Sequence, residues 1–343
     1  MVRAIVLGVV LAAASLVVAG EKLTSGTYTL ELPAGLQAGA TYVPEGNPLS
    51  AEKIALGRLL YFDTRLSKDR TLSCASCHNP YHGFADPGKT SKGIGGKLGG
   101  RNSPTVVNRL FSKEQFWDGR AADLEAQAKG PLVNPVEMGM ANLELVTKGI
   151  AGVHGYAPLF KAAFGDEKVS IDRIAQAIAS YERTVVSGNS PYDRYQAGQK
   201  DALSASAVRG MDIFNNKANC KVCHAGFNFT DEGYHNLGVG MKASKPDVGR
   251  SEISKVASDV GGFKTPTLRD VAHTAPYMHD GSEATLRATV EFYNKGGNPN
   301  PTLSKEIKPL SLSAQEIADL VAFMESLSGE VNGSLEPPTS LPQ

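Results

Sequence analysis

All four cysteines of this chain fall in two copies of one pentapeptide, Cys74-Ala75-Ser76-Cys77-His78 and Cys220-Lys221-Val222-Cys223-His224. Two thiols at that spacing with a histidine directly behind them form the attachment pattern of a c-type haem. The thiols add to the vinyl groups of the macrocycle, and the histidine is placed beneath it as the proximal iron ligand. A structural zinc site, a pair of disulfides and a redox dithiol are the competing chemistries. Zinc sites commonly pair such motifs at close spacing, whereas these begin 146 residues apart, and zinc has no need of a histidine after each second cysteine. A redox dithiol needs one copy only. Two covalent haems are therefore the expected cofactors.

What an iron does depends on its second axial position, since a filled one transfers electrons and an open one admits a small ligand such as peroxide. The remaining donors are His82, His154, His235, His273 and His279, with Met138, Met140, Met241 and Met278 the more interesting thioethers. Residue type does not choose among them. For any single one, a hydrogen-bonded loop or core role is the commoner use.

The chain of 343 residues is long enough for two domains with real cores, one haem each. Residues 1–20 read as a secretory signal: Arg3, an apolar stretch from Ala4 to Val18, then Ala19 and Gly20 before Glu21 and Lys22. An uncleaved anchor is the alternative. Export agrees with the motifs, because bacteria attach c-type haems outside the cytoplasm, and the expected address is the periplasm. Basic and acidic residues balance at 35 each, so no global field recruits nucleic acid or an anionic membrane.

The motifs must be carried by helices. Ser50 caps a helical pattern with Ile54, Leu56, Leu59, Leu60 and Phe62 on its apolar face, leading to the first motif. The pattern from Ala207 to Phe214 leads likewise into Cys220, and each motif is followed by an aromatic and an acid, Phe84 and Asp86 or Phe229 and Asp231. That echo points to duplicated units. Ser170 to Val186 reads as an amphipathic helix, and Ser313 with Glu316 forms a capping box ahead of a last helix. Thr27 to Leu32 alternates as a short strand within a packed arm, and residues 187–203 read as a link. Stretches 87–105 and 238–266, rich in Gly, Ser, Lys and Pro, read as long loops around the cofactors. The expected fold is mainly α: two cytochrome c-like helical domains over 21–195 and 196–330, with long loops and little strand. Residues 331–343 read as a flexible tail.

Five segments resemble those of bacterial dihaem cytochrome c peroxidases and the related MauG proteins, in consistent order between about residues 45 and 328. They are Asn102-Ser103-Pro104-Thr105, the run from Gln115 to Arg120, Gln127-Ala128-Lys129-Gly130-Pro131, Val136-Glu137-Met138, and the run from Thr274 to Gly281. The resemblance implies that the first haem is the peroxide site. Many of these peroxidases block that haem with a histidine from the loop before Asn-x-Pro-Thr; here the loop is Gly93-Ile94-Gly95-Gly96-Lys97. An open first haem follows, unless His82 or another group folds over it.

By the family register the second haem takes its distal ligand about seventeen residues beyond Pro276, which is Tyr293, the MauG-like choice; Met278 is the rival. The resemblance also implies Glu137 as acid and base over the first haem, Gln127 as its orienting partner, and Pro131 and Met138 as pocket walls. Trp117, the single tryptophan, matches the relay between haems. Asn102, Thr274 and Pro276 match an inter-haem calcium site. The implied activity is reduction of hydrogen peroxide with electrons from a small cytochrome c or cupredoxin, in a protein that, like many of the family, forms a homodimer. The alternatives are a MauG-like enzyme that oxidatively modifies a partner protein, and a non-enzymatic dihaem electron carrier. Against the MauG-like role, the surface tryptophan that MauG carries before its second motif is replaced here by Lys217-Ala218-Asn219.

Overall fold

The structure is a computed structural model that describes residues 20–332 and 335–343; the leader expected over 1–20 lies outside the described residues except for Gly20. An arm opens the described chain. Strands β1 (Lys22–Ser25) and β2 (Tyr28–Glu31) pair antiparallel across a turn in which Gly26 takes a φ of 57°. Leu30, Leu32 and Leu36 then bury themselves against Leu110, Phe111 and Val186.

The first haem motif sits in a domain of six helices: α1 (Ala51–Tyr61), α2 (Cys74–Cys77), α3 (Leu124–Val133), α4 (Leu143–Ala151), α5 (Ala157–Phe164) and α6 (Ile171–Glu182). Side-chain oxygens of Ser50, Asp123, Asn142 and Ser170 accept from the backbone of the first turns of α1, α3, α4 and α6, which satisfies donors the helix cannot. Helices α1 and α6 cross where Gly57 meets the Ala177 carbonyl, and a Cβ at Gly57 would lie 1.8 Å from that oxygen. Around this crossing Leu56, Leu60, Tyr61, Ile174, Ile178 and Tyr181 form the core. Helix α6 stops at Glu182 rather than running to Val186, because Ser187 and Gly188 extend as strand β3.

The link read over 187–203 is itself structured. After β3 comes α7 (Pro191–Gln196), whose capping box uses Ser190 and Asp193. Asp193 is buried in an ion pair with Arg269 (2.8 Å), and Tyr192 packs on Phe229 and Phe323. Packing therefore passes to the second core at about residue 190, a few residues ahead of the boundary read from the sequence.

The second domain holds α8 (Ala205–Asn215), β4 (Tyr234–Asn236), α9 (Ser251–Ser254), β5 (Gly262–Lys264), α10 (Leu286–Asn294) and α11 (Ala314–Glu325), followed by β6 (Glu330–Val331). Helix α11 carries the capping box of Ser313 and Glu316. It crosses α8 as α6 crosses α1: a Cβ at Gly210 would lie 1.9 Å from the Asp319 carbonyl oxygen. The strands form three two-stranded ladders, β1 with β2, β3 with β6 and β4 with β5. The result is mainly α, two helical domains each built on one close helix crossing. Among the described residues no helix is long and apolar enough to cross a membrane.

The described part of the 331–343 segment, read as a flexible tail, is held against the first domain. Asn332 donates to the Val186 carbonyl, Arg65 to that of Pro342 (2.8 Å) and Gly155 to that of Gln343 (2.7 Å), while Leu335 packs on the first core. The small polar composition that suggested mobility conceals backbone oxygens that accept from the half-buried Arg65 and Gly155.

Candidate functional site

Two cavities are lined by the two Cys-x-x-Cys-His motifs, one by Cys74, Cys77 and His78 and the other by Cys220, Cys223 and His224. None of the cysteines is in a disulfide, and burial raises the pKa of all four thiols, that of Cys223 to about 11. His78 Nδ1 lies 2.9 Å from the Pro104 carbonyl, and His224 Nδ1 3.0 Å from that of Phe229. A ring that gives its Nδ1 proton to a carbonyl presents Nε2 as a lone pair, the arrangement an iron ligand needs. Burial lowers the pKa of both imidazoles and so favours that neutral form. Phe84 and Phe229, with φ of 55° and 51°, turn the chain beneath each ring in the same way. The residues fit two c-type haems.

Beyond the motifs the domains repeat at a constant spacing of 162 residues. Left-handed backbone recurs at Asn108 and Asp270, at Phe116 and Met278, and at Gly119 and Gly281. Isolated bridges join Gln115 to Ala121 and Tyr277 to Glu283, and α3 and α10 start in register. Leu124, Gln127, Ala128 and Pro131 line the first cavity, and their counterparts Leu286, Thr289, Val290 and Tyr293 line the second. Pro131 in one domain thus answers to Tyr293 in the other, and Met278 to Phe116. On the second core helices, Ile178 and Glu182 line the first cavity where Leu320 and Met324 line the second.

The first cavity gathers Gln127, Pro131, Glu137 and Met138 with His78. Glu137 accepts from Asn134 Nδ2 (2.9 Å), and its backbone carbonyl accepts from Ile94 (2.7 Å). Gly93 lies so close above this turn that a Cβ there would come within 1.8 Å of the Val136 carbonyl oxygen. The glycine loop therefore closes directly on the backbone of the turn that carries Glu137. Burial raises the pKa of Glu137, with Arg120 acting against it. His82 does not fold over this cavity: its Nε2 is 2.7 Å from the Ala275 carbonyl. His78 and Met138 are the only histidine and methionine among the described residues that line it.

The second cavity brings together His224, Tyr293, Met278, His235 and His279. Burial, with the nearby Cys220 and Cys223, raises the pKa of the Tyr293 phenol. His279 stacks on Phe263 with ring centroids 3.5 Å apart, and burial pushes its pKa down to about 4. His154, His273, Met140 and Met241 line neither cavity.

Trp117 lines both cavities, as do Asn102, Arg109 and Lys264. Its indole Nε1 donates to the Asn102 carbonyl (2.9 Å). Asn102 Oδ1 and the carbonyls of Thr274 and Pro276 receive no hydrogen bond among the described residues, and all three residues face the second cavity. Three unpartnered oxygens fit a hard cation. Arg109, Lys264 and Glu182 are the charged groups that reading the sequence passed over. Burial is the main cause in each case: it lowers the pKa of Arg109, brings that of Lys264 down to about 7 and raises that of Glu182 to about 8. Only the 162-residue register, traced from Trp117 to His279, would have pointed to that wall.

Residues 51–201 match the family model for di-haem cytochrome c peroxidase, and residues 207–328 that for cytochrome c. A methylamine utilization protein MauG of Methylorubrum extorquens is 43% identical over 84% of this chain and 81% of its own. A cytochrome c551 peroxidase of Pseudomonas aeruginosa is 39% identical over 83% of this chain and 81% of its own. The chain belongs to the dihaem cytochrome c peroxidase and MauG family. A solved MauG-like protein associated with microbial copper homeostasis superposes with a TM-score of 0.80 at 34% identity, covering 87% of this chain and 95% of that one. Membership makes this chain a dihaem oxidoreductase of the peroxidase type, which sets aside the non-enzymatic carrier.

Proposed function

We propose that the protein is a periplasmic peroxidase that reduces hydrogen peroxide to water at its first haem, with electrons from a small cytochrome c or cupredoxin entering by way of the second. One observation carries this reading: at one helical position the first cavity has Pro131 and the second Tyr293. A proline ring offers iron no lone pair, whereas a phenol does. The first site is accordingly left for substrate and the second closed by Tyr293, with Met278 filling the packing role of Phe116. Tyr293 would hold the iron of the second haem, and a phenol ligand there would favour the ferric state.

When bound through Cys74, Cys77 and His78, the first haem supplies the redox chemistry that splits the O–O bond. Protons are the task of the chain. Glu137 takes a proton from the near oxygen of peroxide and returns it to the departing one, and its raised pKa brings it toward the range in which one group serves as base and then acid. Asn134 steadies the carboxylate, and Gln127 orients peroxide or water beside it. Electrons cross the wall held by Trp117. Asn102, Thr274 and Pro276 would hold calcium there by oxygen alone.

A MauG-like action on a protein substrate is the second reading, favoured by the tyrosine at 293. The test is EPR of the dihaem protein before and after peroxide. A high-spin and a low-spin signal at rest, with rapid loss of the first, are expected; two low-spin signals and no fast reaction would overturn the enzyme reading. Tyr293→Phe should alter the low-spin signal and Met278→Leu should not. Steady-state turnover with reduced small cytochromes as donors distinguishes the peroxidase from the protein-modifying enzyme.

A further inference from the structure

The 162-residue register makes the wall between the cavities its own image. Trp117 answers to His279 and Asn102 to Lys264, and the backbone bonds are reciprocal: Asn102 N–H donates to the His279 carbonyl (2.8 Å), and Lys264 N–H to that of Trp117 (2.7 Å). The same register carries the oxygen set of Asn102, Thr274 and Pro276 onto Lys264, Ser112 and Glu114. At that image the Lys264 ammonium donates to the Glu114 carbonyl (2.6 Å), the counterpart of the Pro276 carbonyl; Arg109 also reaches the Glu114 carbonyl (3.3 Å), while the Ser112 carbonyl accepts from Gln115 Nε2 (2.9 Å). It also lies 3.2 Å from Glu232, which accepts from Ser112 Oγ (2.7 Å). The Lys264 side chain is 5% exposed.

We infer that Lys264 is a tethered cation that occupies, in one half of the molecule, the position that a calcium ion takes in the other, and that it thereby positions Trp117. This rests on the reading of the oxygen-lined site above. Both loops turn carbonyl oxygens inward at the domain boundary, and inward carbonyls need a positive partner. On the His279 side an ion from solution meets that need, and on the Trp117 side the protonated Lys264 side chain does, with Glu232 and Glu114 opposing the lowering of its pKa by burial. Lys264 grips the loop at two points, the carbonyls of Glu114 and Trp117, so the relay indole is held by a group that no chelator removes.

The test uses the purified dihaem protein, with bound calcium counted by atomic emission after desalting. Wild type and Lys264→Met should each hold one calcium per chain, and Asn102→Ala none. Lys264→Asn, which supplies the amide oxygen found at the other site, should hold two. A Lys264→Asn protein with no more calcium than Lys264→Met overturns the pairing of the sites. A wild type without calcium that Asn102→Ala removes overturns the oxygen-lined site instead. The positioning role is then decided by the resonance Raman bands of Trp117, the single tryptophan. Its hydrogen-bond-sensitive band should shift in Lys264→Met and return in Lys264→Arg. A Lys264→Met protein with an unshifted band overturns that role whatever the calcium count.

Discussion

A carboxyl group kept from water gives up its proton less readily, and burial does this to both Glu137 and Glu182 in the first cavity. Glu182 faces the first cavity where Met324 faces the second, and burial raises its pKa to about 8. Between the ordinary carboxylate value and about 8 the folded chain therefore binds the extra proton, so stability declines as pH rises through that window and levels off above it. Glu182→Gln should flatten this decline in urea unfolding measured from pH 5 to 8, by a few kcal/mol at its upper end. Glu137 differs in having Asn134 as a donor and Arg120 nearby. On the base-first role proposed for it, the rate of reaction with peroxide should fall on the acid side, with a midpoint above the usual carboxylate range. Glu137→Gln should lower that rate by about 10²–10⁴ and abolish the acid limb in stopped-flow traces. An unchanged limb would assign the proton to another group.

The helices succeed or fail at single points of contact. Gly57 and Gly210 let α1 reach α6 and α8 reach α11, and a methyl at either would press on a helix carbonyl that cannot move aside. Gly57→Ala should cost about 1–3 kcal/mol in thermal unfolding, and Gly210→Ala a similar amount. Two capped core helices were legible in the sequence, since Ser50 and Ser313 stand where the structure uses them, and the helix read from Ser170 begins one residue later with that serine as its cap. Helix α7 was not, since Pro191 and its polar face look like a linker until Asp193 meets Arg269 from far along the chain. Helices α3 and α10 escaped for the opposite reason: they are short, and α3 contains Gly130 and Pro131 near its end. Both shape the cavities, so the elements hardest to read carry the residues that make the two cavities unequal.

At the scale of the molecule, two domains of one design are joined so that each completes the other. The duplication was legible in the haem motifs and in Phe84 and Phe229, but its 162-residue continuation was not. Backbone conformation persisted there while side chains diverged, Trp117 against His279 and Pro131 against Tyr293. Long-range closure was equally hidden. After α11 the chain leaves the second core, pairs β6 with β3, and returns to the first domain, where Arg65, held by Asp63, takes the Pro342 carbonyl. Asp63 is fully buried, accepts from Tyr156 (2.6 Å) and has its pKa lowered by Arg65 and Tyr156 against the effect of burial. A depressed carboxylate stabilises the fold above its unfolded pKa and loses that contribution as pH falls through the folded one. Truncation after Asn332 should therefore weaken the first domain selectively, by about 2 kcal/mol for the loss of Leu335 and the Arg65 and Gly155 contacts. With the high-spin band assigned to the first haem as proposed, denaturation followed at that band should shift to lower urea while the low-spin band holds. A truncated protein whose two bands move together would mean that the tail supports the joint between the domains and not the first core.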